Sequence, residues 1–182
     1  MSFSDENLLR LALAGDGGCF GELVTRWERR IYGFIFRYVG DREEARDLTQ
    51  ETFAKAYKNL GRLSDPGKFS SWLYKIALNE CRMRFRRRRW DTVPLPESVE
   101  ATLEKADEPT PEQALASKER VQLLRETLLK LPEEQKTVIL MKEYQGLKFR
   151  EIAQILDLPL STVKSRMYLG LKTLRRLMEK RL

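Results

Sequence analysis

The chain has 182 residues, 42% of them hydrophobic, which allows one generous domain or two small ones, and no stretch approaches the roughly 20 apolar residues of a membrane span. Two cysteines and no histidine exclude both a zinc site of about four nitrogen or sulfur ligands and catalysis by a histidine-based triad. The net charge of +7 is unevenly distributed: residues 1–90 carry 18 Lys+Arg and 12 Asp+Glu, residues 91–113 carry 1 and 7, and residues 114–182 carry 15 and 8.

Two basic bodies flanking an acidic connector suit a polyanionic partner, with the connector itself held off it. The N-terminus, SFSDENLL, is acidic and polar and lacks a basic-then-apolar leader, so the sequence predicts a cytoplasmic protein without membrane insertion. Ser4 to Ala14 reads as a first helix, capped by Ser4, with Leu8, Leu9, Leu11 and Leu13 supplying apolar surface. Gly15-Asp16-Gly17-Gly18 stops it. A second helix runs to about Val39, with Phe20, Leu23, Val24, Trp27, Ile31, Phe34, Ile35 and Tyr38 as a core stripe. Cys19 and Cys81 read as buried or inert thiols of a reducing compartment, a regulatory disulfide between them being the alternative.

After Gly40, Asp41 caps a third helix, with Glu44 placed to reach back as in a capping box. Ala45, Leu48, Thr52, Ala56 and Leu60 face inward, while Arg42, Glu43, Arg46, Asp47, Gln50, Glu51 and Lys55 share the other face. Spacing alone fits a merely solvated face. Asp47 and Glu51 lie one turn apart and could hold a divalent metal, but nothing else in the chain completes such a site. Asn59 to Lys68 is a loop by its Gly, Asp and Pro content.

A long helix from about Ser70 starts with the core candidates Trp72, Leu73, Ile76 and Ala77. It ends in six arginines within eight residues: Arg82, Arg84, Arg86, Arg87, Arg88 and Arg89. Such guanidinium density suits phosphate, since each group offers charge and forked hydrogen bonds. Residues 91–113, with Pro94, Pro96, Pro109 and Pro111, read as a flexible acidic linker. Relaxed, it spans about 26 Å, so two lobes could reach sites one or two DNA turns apart, at roughly 34 Å per turn.

Ala114 to Lys130 is a further helix, Leu131-Pro132 breaks it, and another helix continues through Tyr144. Phe149, Ile152, Ala153, Ile155 and Leu156 then recur at helical spacing until Asp157-Leu158-Pro159 interrupts them. The last pattern places Val163, Met167, Gly170, Leu171, Leu174 and Met178 on one side. Ser161, Thr162, Ser165, Arg166, Tyr168, Leu169 and Lys172 fall on the other. Two short helices joined by a tight turn, the second bearing hydroxyls and bases on its free side, fit the major groove of B-DNA. An ordinary hairpin with a solvated outer face has the same periodicity. No strand pattern appears, and the predicted fold is all-α: two helical domains, an N-terminal bundle (1–90) and a C-terminal helix-turn-helix (114–182), joined by the linker at 91–113.

Three stretches in register resemble the extracytoplasmic-function (ECF) subgroup of bacterial sigma factors. DREEARDLTQETFAKAYKNL (Asp41–Leu60) is similar to the helix that docks on core RNA polymerase, and FSSWLYKIALN (Phe69–Asn79) to the segment that melts and reads the promoter −10 element. LPEEQKTVILMKEYQGLKFREIAQILDLPLSTVKSRMYLGLKTLR (Leu131–Arg175) is similar to the domain that reads the −35 element.

The resemblance implies polymerase contacts at Asp47, Gln50 and Glu51. It implies −10 contacts at Arg62, Asp65, Lys68, Trp72, Lys75, Asn79, Arg82 and Arg86, the loop Leu60–Lys68 capturing a base flipped from the non-template strand. It implies −35 contacts at Ser161, Thr162, Lys164, Ser165, Arg166, Tyr168 and Lys172. It also implies core polymerase, promoter DNA and an anti-sigma factor as partners, with no catalytic residue, metal or cofactor. Flipping costs a few kcal/mol of unstacking, which a fitted pocket can offset.

The sequence departs from the family at Met83, where an aspartate is usual, and at Leu169 and Leu171, where basic residues are usual. Lys148 stands where a capping Ser or Thr is common, a change worth roughly 1 kcal/mol to the helix start. Two other readings are weaker. A stand-alone activator using only the helix-turn-helix leaves the DLTQE face and the arginine run unexplained. A metal-dependent nuclease using Asp41, Glu44, Asp47 and Glu51 lacks a convincing carboxylate cluster.

Overall fold

Most helix starts here can be assigned to the oxygen or the proline that makes them. In the computed structural model, which describes residues 3–90 and 111–180 and, of these, the side chains outside 88–90 and 111–118, Ser4 Oγ accepts from the Asn7 amide at 3.3 Å and opens α1 (Asp5–Leu13). Asp16 accepts from the amides of Gly18 and Cys19 at 2.9 and 3.3 Å and opens α2 (Gly17–Val39). Gly17 and Gly18, expected in the break, are therefore inside the first turn of α2: a good cap outweighs the helix cost of two glycines, which is on the order of 1 kcal/mol each. Gly40, at φ 87°, closes α2 in the left-handed conformation that glycine adopts freely.

Asp41 accepts from the Glu44 amide at 2.8 Å and opens α3 (Arg42–Lys58). The Glu44 side chain does not complete a capping box. It is buried and accepts from Arg84 Nε at 2.7 Å, because an arginine on the neighbouring helix offers a stronger, charge-assisted partner.

The loop after α3 contains two short 3-10 turns, Leu60–Arg62 and Pro66–Lys68, the second opened by Asp65, which accepts from the Gly67 amide at 3.0 Å. α4 (Phe69–Trp90) and α5 (Pro111–Leu129) follow. α6 (Glu133–Ile139) starts after Pro132 and widens into a π-helical turn, Leu140–Tyr144, rather than staying α-helical to its end. The wider turn leaves Leu140 and Met141, adjacent in sequence, both fully buried. α7 (Phe149–Leu156) and α8 (Leu160–Glu179) complete the chain, and among the described residues there is no strand.

The N-terminal half packs α2, α3 and α4 around Leu23, Ile31, Phe34, Ile35, Leu73 and Ala77, with Phe34 and Tyr74 edge-on at 5.5 Å. Each of the buried Leu, Ile and Phe side chains stabilises the fold by about 1.5–3 kcal/mol relative to exposure. Of the leucines expected to supply apolar surface from α1, Leu8 and Leu9 are buried but Leu11 and Leu13 are exposed, since a helix this short presents only one stripe to α2.

In the C-terminal half, Val138, Ile139, Ile152, Ile155, Val163 and Met167 form the core. α8 approaches α6 so closely that a Cβ on Gly170 would stand 2.8 Å from Ile139 Cδ1. Leu171, expected on this packing side, is exposed, being about 100° around the helix from Gly170.

The two halves touch. α4 packs on α7, and α2 packs on α5 and on the π-helical turn.

Candidate polymerase and nucleic-acid interfaces

The face of α3 expected to bind polymerase is outward. Ala45, Leu48, Thr52 and Ala56 are buried, so a helix of this pitch must present Asp47, Gln50 and Glu51 to solvent, and all three are exposed. Lys55, on the flank of that face, is held by the buried Glu80 of α4 at 2.5 Å. The carboxylates do not gather as a metal site. Glu44 is buried on Arg84, Asp47 and Glu51 are exposed, and among the described residues no group of three potential ligands converges.

The expected −10 residues fall into two sets. Arg62, Asp65, Lys68, Trp72 and Lys75 line one cleft of about 200 Å³. It is built from the two 3-10 turns and the first two turns of α4, and Gln154 and Ile155 of α7 close its far side. Asn79 is exposed further along α4, as is Arg86.

Lys75 Nζ lies 2.6 Å from Asp157 Oδ2, and Arg82 Nε lies 2.8 Å from Glu133 Oε1. Of the arginine run, Arg84 is committed within the N-terminal half to Glu44, a hydrogen bond that raises its pKa. Arg86 and Arg87 are exposed, and the side chains of Arg88 and Arg89 lie outside the described residues.

In the helix-turn-helix, Asp157 takes φ 52°, the left-handed turn that lets the chain double back from α7 into α8. Lys148 cannot accept a hydrogen bond at the start of α7. Only half of a capping box forms there, with Glu151 Oε2 accepting from the Lys148 amide at 2.6 Å.

Burial of Val163, Met167 and Gly170 turns Ser161, Lys164, Ser165, Tyr168 and Lys172 outward, while Thr162 is half-buried. Tyr168 is 70% exposed, a large aromatic with no core role. Arg166 is ion-paired with Glu134 at 2.9 Å. Leu169 and Leu171 are also exposed beside this face, so their departure from a basic pattern changes the surface and not the packing.

Sequence reasoning missed the residues that join the halves. Lys136 of α6 is only 5% exposed. Its ammonium donates to the Tyr38 carbonyl oxygen at 3.1 Å and lies 4.4 and 4.9 Å from the Tyr38 and Phe85 ring centroids. Burial pulls its pKa down.

Arg125 of α5 donates to the Gly40 carbonyl oxygen at 2.5 Å and lies 4.2 Å from the Phe36 ring centroid. Tyr74 and Gln145 share a 2.7 Å hydrogen bond, and burial pushes the Tyr74 hydroxyl up to about 12. The available signal was Lys136 itself, a lysine one helical turn from Ile139 and Leu140 and so on an apolar stripe.

Residues 23–91 match the Sigma-70 region 2 family and residues 121–174 the Sigma-70 region 4 family. The chain is 33% identical to the RNA polymerase sigma-H factor of Pseudomonas aeruginosa, over 90% of its own length and 88% of the relative's. It is 36% identical to the ECF RNA polymerase sigma factor SigW of Bacillus subtilis, over 89% and 90%. Among solved structures, CnrH in complex with the cytosolic domain of CnrY superposes with a TM-score of 0.72 at 25% identity, over 97% of each chain. An outward polar helix, an arginine-bearing helix and a helix-turn-helix, in this order and with both families matched, define a promoter-directing sigma factor of the sigma-70 class. Within that class the chain belongs to the extracytoplasmic-function sigma factors.

Proposed function

We propose that the chain divides its work among three surfaces: α3 holds core RNA polymerase through Asp47, Gln50 and Glu51, the cleft and α4 take the −10 element, and α8 reads the −35 element. The observation that carries this division is the exposure of Asp47, Gln50 and Glu51 on a helix whose opposite stripe is wholly buried, so that these side chains take no part in the core.

At the −10 element, Arg62, Lys68, Lys75, Arg82 and Arg86 supply charge for phosphates. Trp72 offers a stacking surface and Asp65 and Asn79 offer polar contacts to a base drawn out of the stack. At the −35 element, Ser161, Thr162 and Ser165 are short enough to reach base edges. Lys164, Arg166, Tyr168 and Lys172 flank them toward the phosphates.

The chain performs no covalent chemistry in this scheme. It stabilises opened DNA while polymerase synthesises, and so it works in the cytoplasm. An anti-sigma factor is the further partner that the family resemblance implies, and the similar CnrH structure contains a second protein, the cytosolic domain of CnrY.

Run-off transcription with purified core enzyme on genomic fragments, followed by mapping of start sites, tests the reading. A defined promoter set is expected. Failure of the chain to co-elute with core polymerase would overturn it.

A further inference from the structure

A row of side chains runs along the outward face of α8 at four-residue spacing: Ser161, Ser165 and Leu169, all three exposed. Residues four apart on a helix are neighbours on one ridge. This row rises about 12 Å from end to end, close to the roughly 12 Å width of the major groove of B-DNA. The next position along it, Thr173, is half-buried and donates its hydroxyl to the Leu169 carbonyl oxygen at 2.9 Å, so the row ends in a leucine.

Leu169 is 47% exposed. A single exposed leucine is ordinary on a protein surface, and Leu171 is another, about 200° around α8 from it. Leu169 differs in sharing its ridge with two hydroxyls proposed to reach base edges.

The chemistry of the row is complementary. A serine hydroxyl both donates and accepts, so it matches almost any base edge. A leucine does neither. Against O6 or N7 of guanine, or the amino group of adenine or cytosine, it would strip water from polar atoms and return no hydrogen bond. Only thymine shows an apolar group in the major groove, its C5 methyl.

Resting on the proposed −35 role of α8, we infer that Leu169 is a specificity-determining residue. It packs on the C5 methyl group of one thymine in the −35 element, and so fixes a base that the serines of the same row leave open. The contact is apolar and carries no salt dependence of its own, unlike contacts of the α8 cations with phosphate.

The test uses holoenzyme assembled from purified core polymerase and the full chain, on promoters located by run-off transcription. Each thymine of the −35 element is replaced in turn by uracil, which removes the methyl group and keeps every hydrogen-bonding atom. The holoenzyme concentration giving half-maximal run-off reads promoter affinity.

With wild type, one such replacement should weaken affinity about four-fold, the worth of one buried methyl group, at low and high salt alike. Leu169→Ala should bind the natural promoter several-fold more weakly than wild type and show no response to that uracil. Leu169→Gln, a good helix former of similar size, should lose the response in the same way. Leu171→Ala, which removes an exposed leucine from another side of α8, should respond as wild type does. The wild-type series is measured without any variant, so the inference does not hang on how a variant folds.

A −35 element in which no replacement of thymine by uracil weakens wild type overturns the inference. So does a replacement that weakens Leu169→Ala as much as wild type. The two proposals fail separately. Absence of any transcript with wild type removes the −35 role of α8, and the inference with it. Defined start sites without a methyl effect leave that role standing and remove only the contact with thymine.

Discussion

Two helices of the N-terminal half, α3 and α4, carry the proposed binding side chains on one face and core side chains on the other, yet they meet different surroundings. The proposed polymerase face of α3 is exposed along Asp47, Gln50 and Glu51. The proposed −10 face of α4 lies toward α6 and α7. Amphipathicity was equal evidence for both helices. The second surface is ion-paired to the C-terminal half of its own chain at Lys75 and Arg82.

The largest effect expected from this contrast is on α3. Asp47→Lys/Glu51→Lys should weaken polymerase binding on the order of 100-fold, as loss of interface hot spots does. The thermal melt should hardly move, because both side chains point into solvent. A melt lowered by many degrees in step with lost binding would place these residues in the fold and erase the contrast.

Gly40→Ala probes the other side. Its φ of 87° and a Cβ only 2.9 Å from Leu129 Cδ1 of α5 should together cost about 2 kcal/mol. Part of that cost should appear as expansion of the chain in scattering. Gly170→Ala, with Ile139 Cδ1 at 2.8 Å, should cost about 1–3 kcal/mol and leave the interface between the halves alone. Denaturant melts of the two variants, read beside scattering, distinguish strain at the interface from strain inside the helix-turn-helix.

On α8, Arg166→Ala should reduce the salt slope of −35 binding by about one if the side chain meets phosphate, with a uniform loss across sequences. Glu134→Ala removes its ion-pair partner and should strengthen DNA binding slightly, by about 0.2–1 kcal/mol. Titration against duplex at several salt concentrations measures both.

The smallest effect concerns alkaline stability. Burial raises the Cys81 thiol above its ordinary 9.0, so the folded state keeps that proton longer than the unfolded state does. The contribution is fully present below pH 9 and is lost as pH rises beyond it. Tyr38 and Tyr74 are raised with the same sign, and Lys136 is lowered with the opposite one. Cys81→Ala should therefore show a shallower loss of melting temperature between neutral and alkaline buffer than wild type.

The sequence by itself determined the helices and the outward faces. Periodicity set the stripes of α2 and α3, Ser4 and Asp41 set two helix starts, and Asp157-Leu158-Pro159 set the turn between α7 and α8. These are local effects, each carried by residues a few positions apart. Local rules also misplaced Leu11, Leu13 and Leu171, since a stripe counts apolar residues without knowing which neighbour will cover them. Only the tertiary structure decided that Glu44 would hold Arg84, that Lys136 would be buried on Tyr38 and Phe85, and that Asp157 and Glu133 would take the cations of α4. Those partners lie between 40 and 98 residues apart, and a charge reveals its partner only when folding brings the two within a few ångströms.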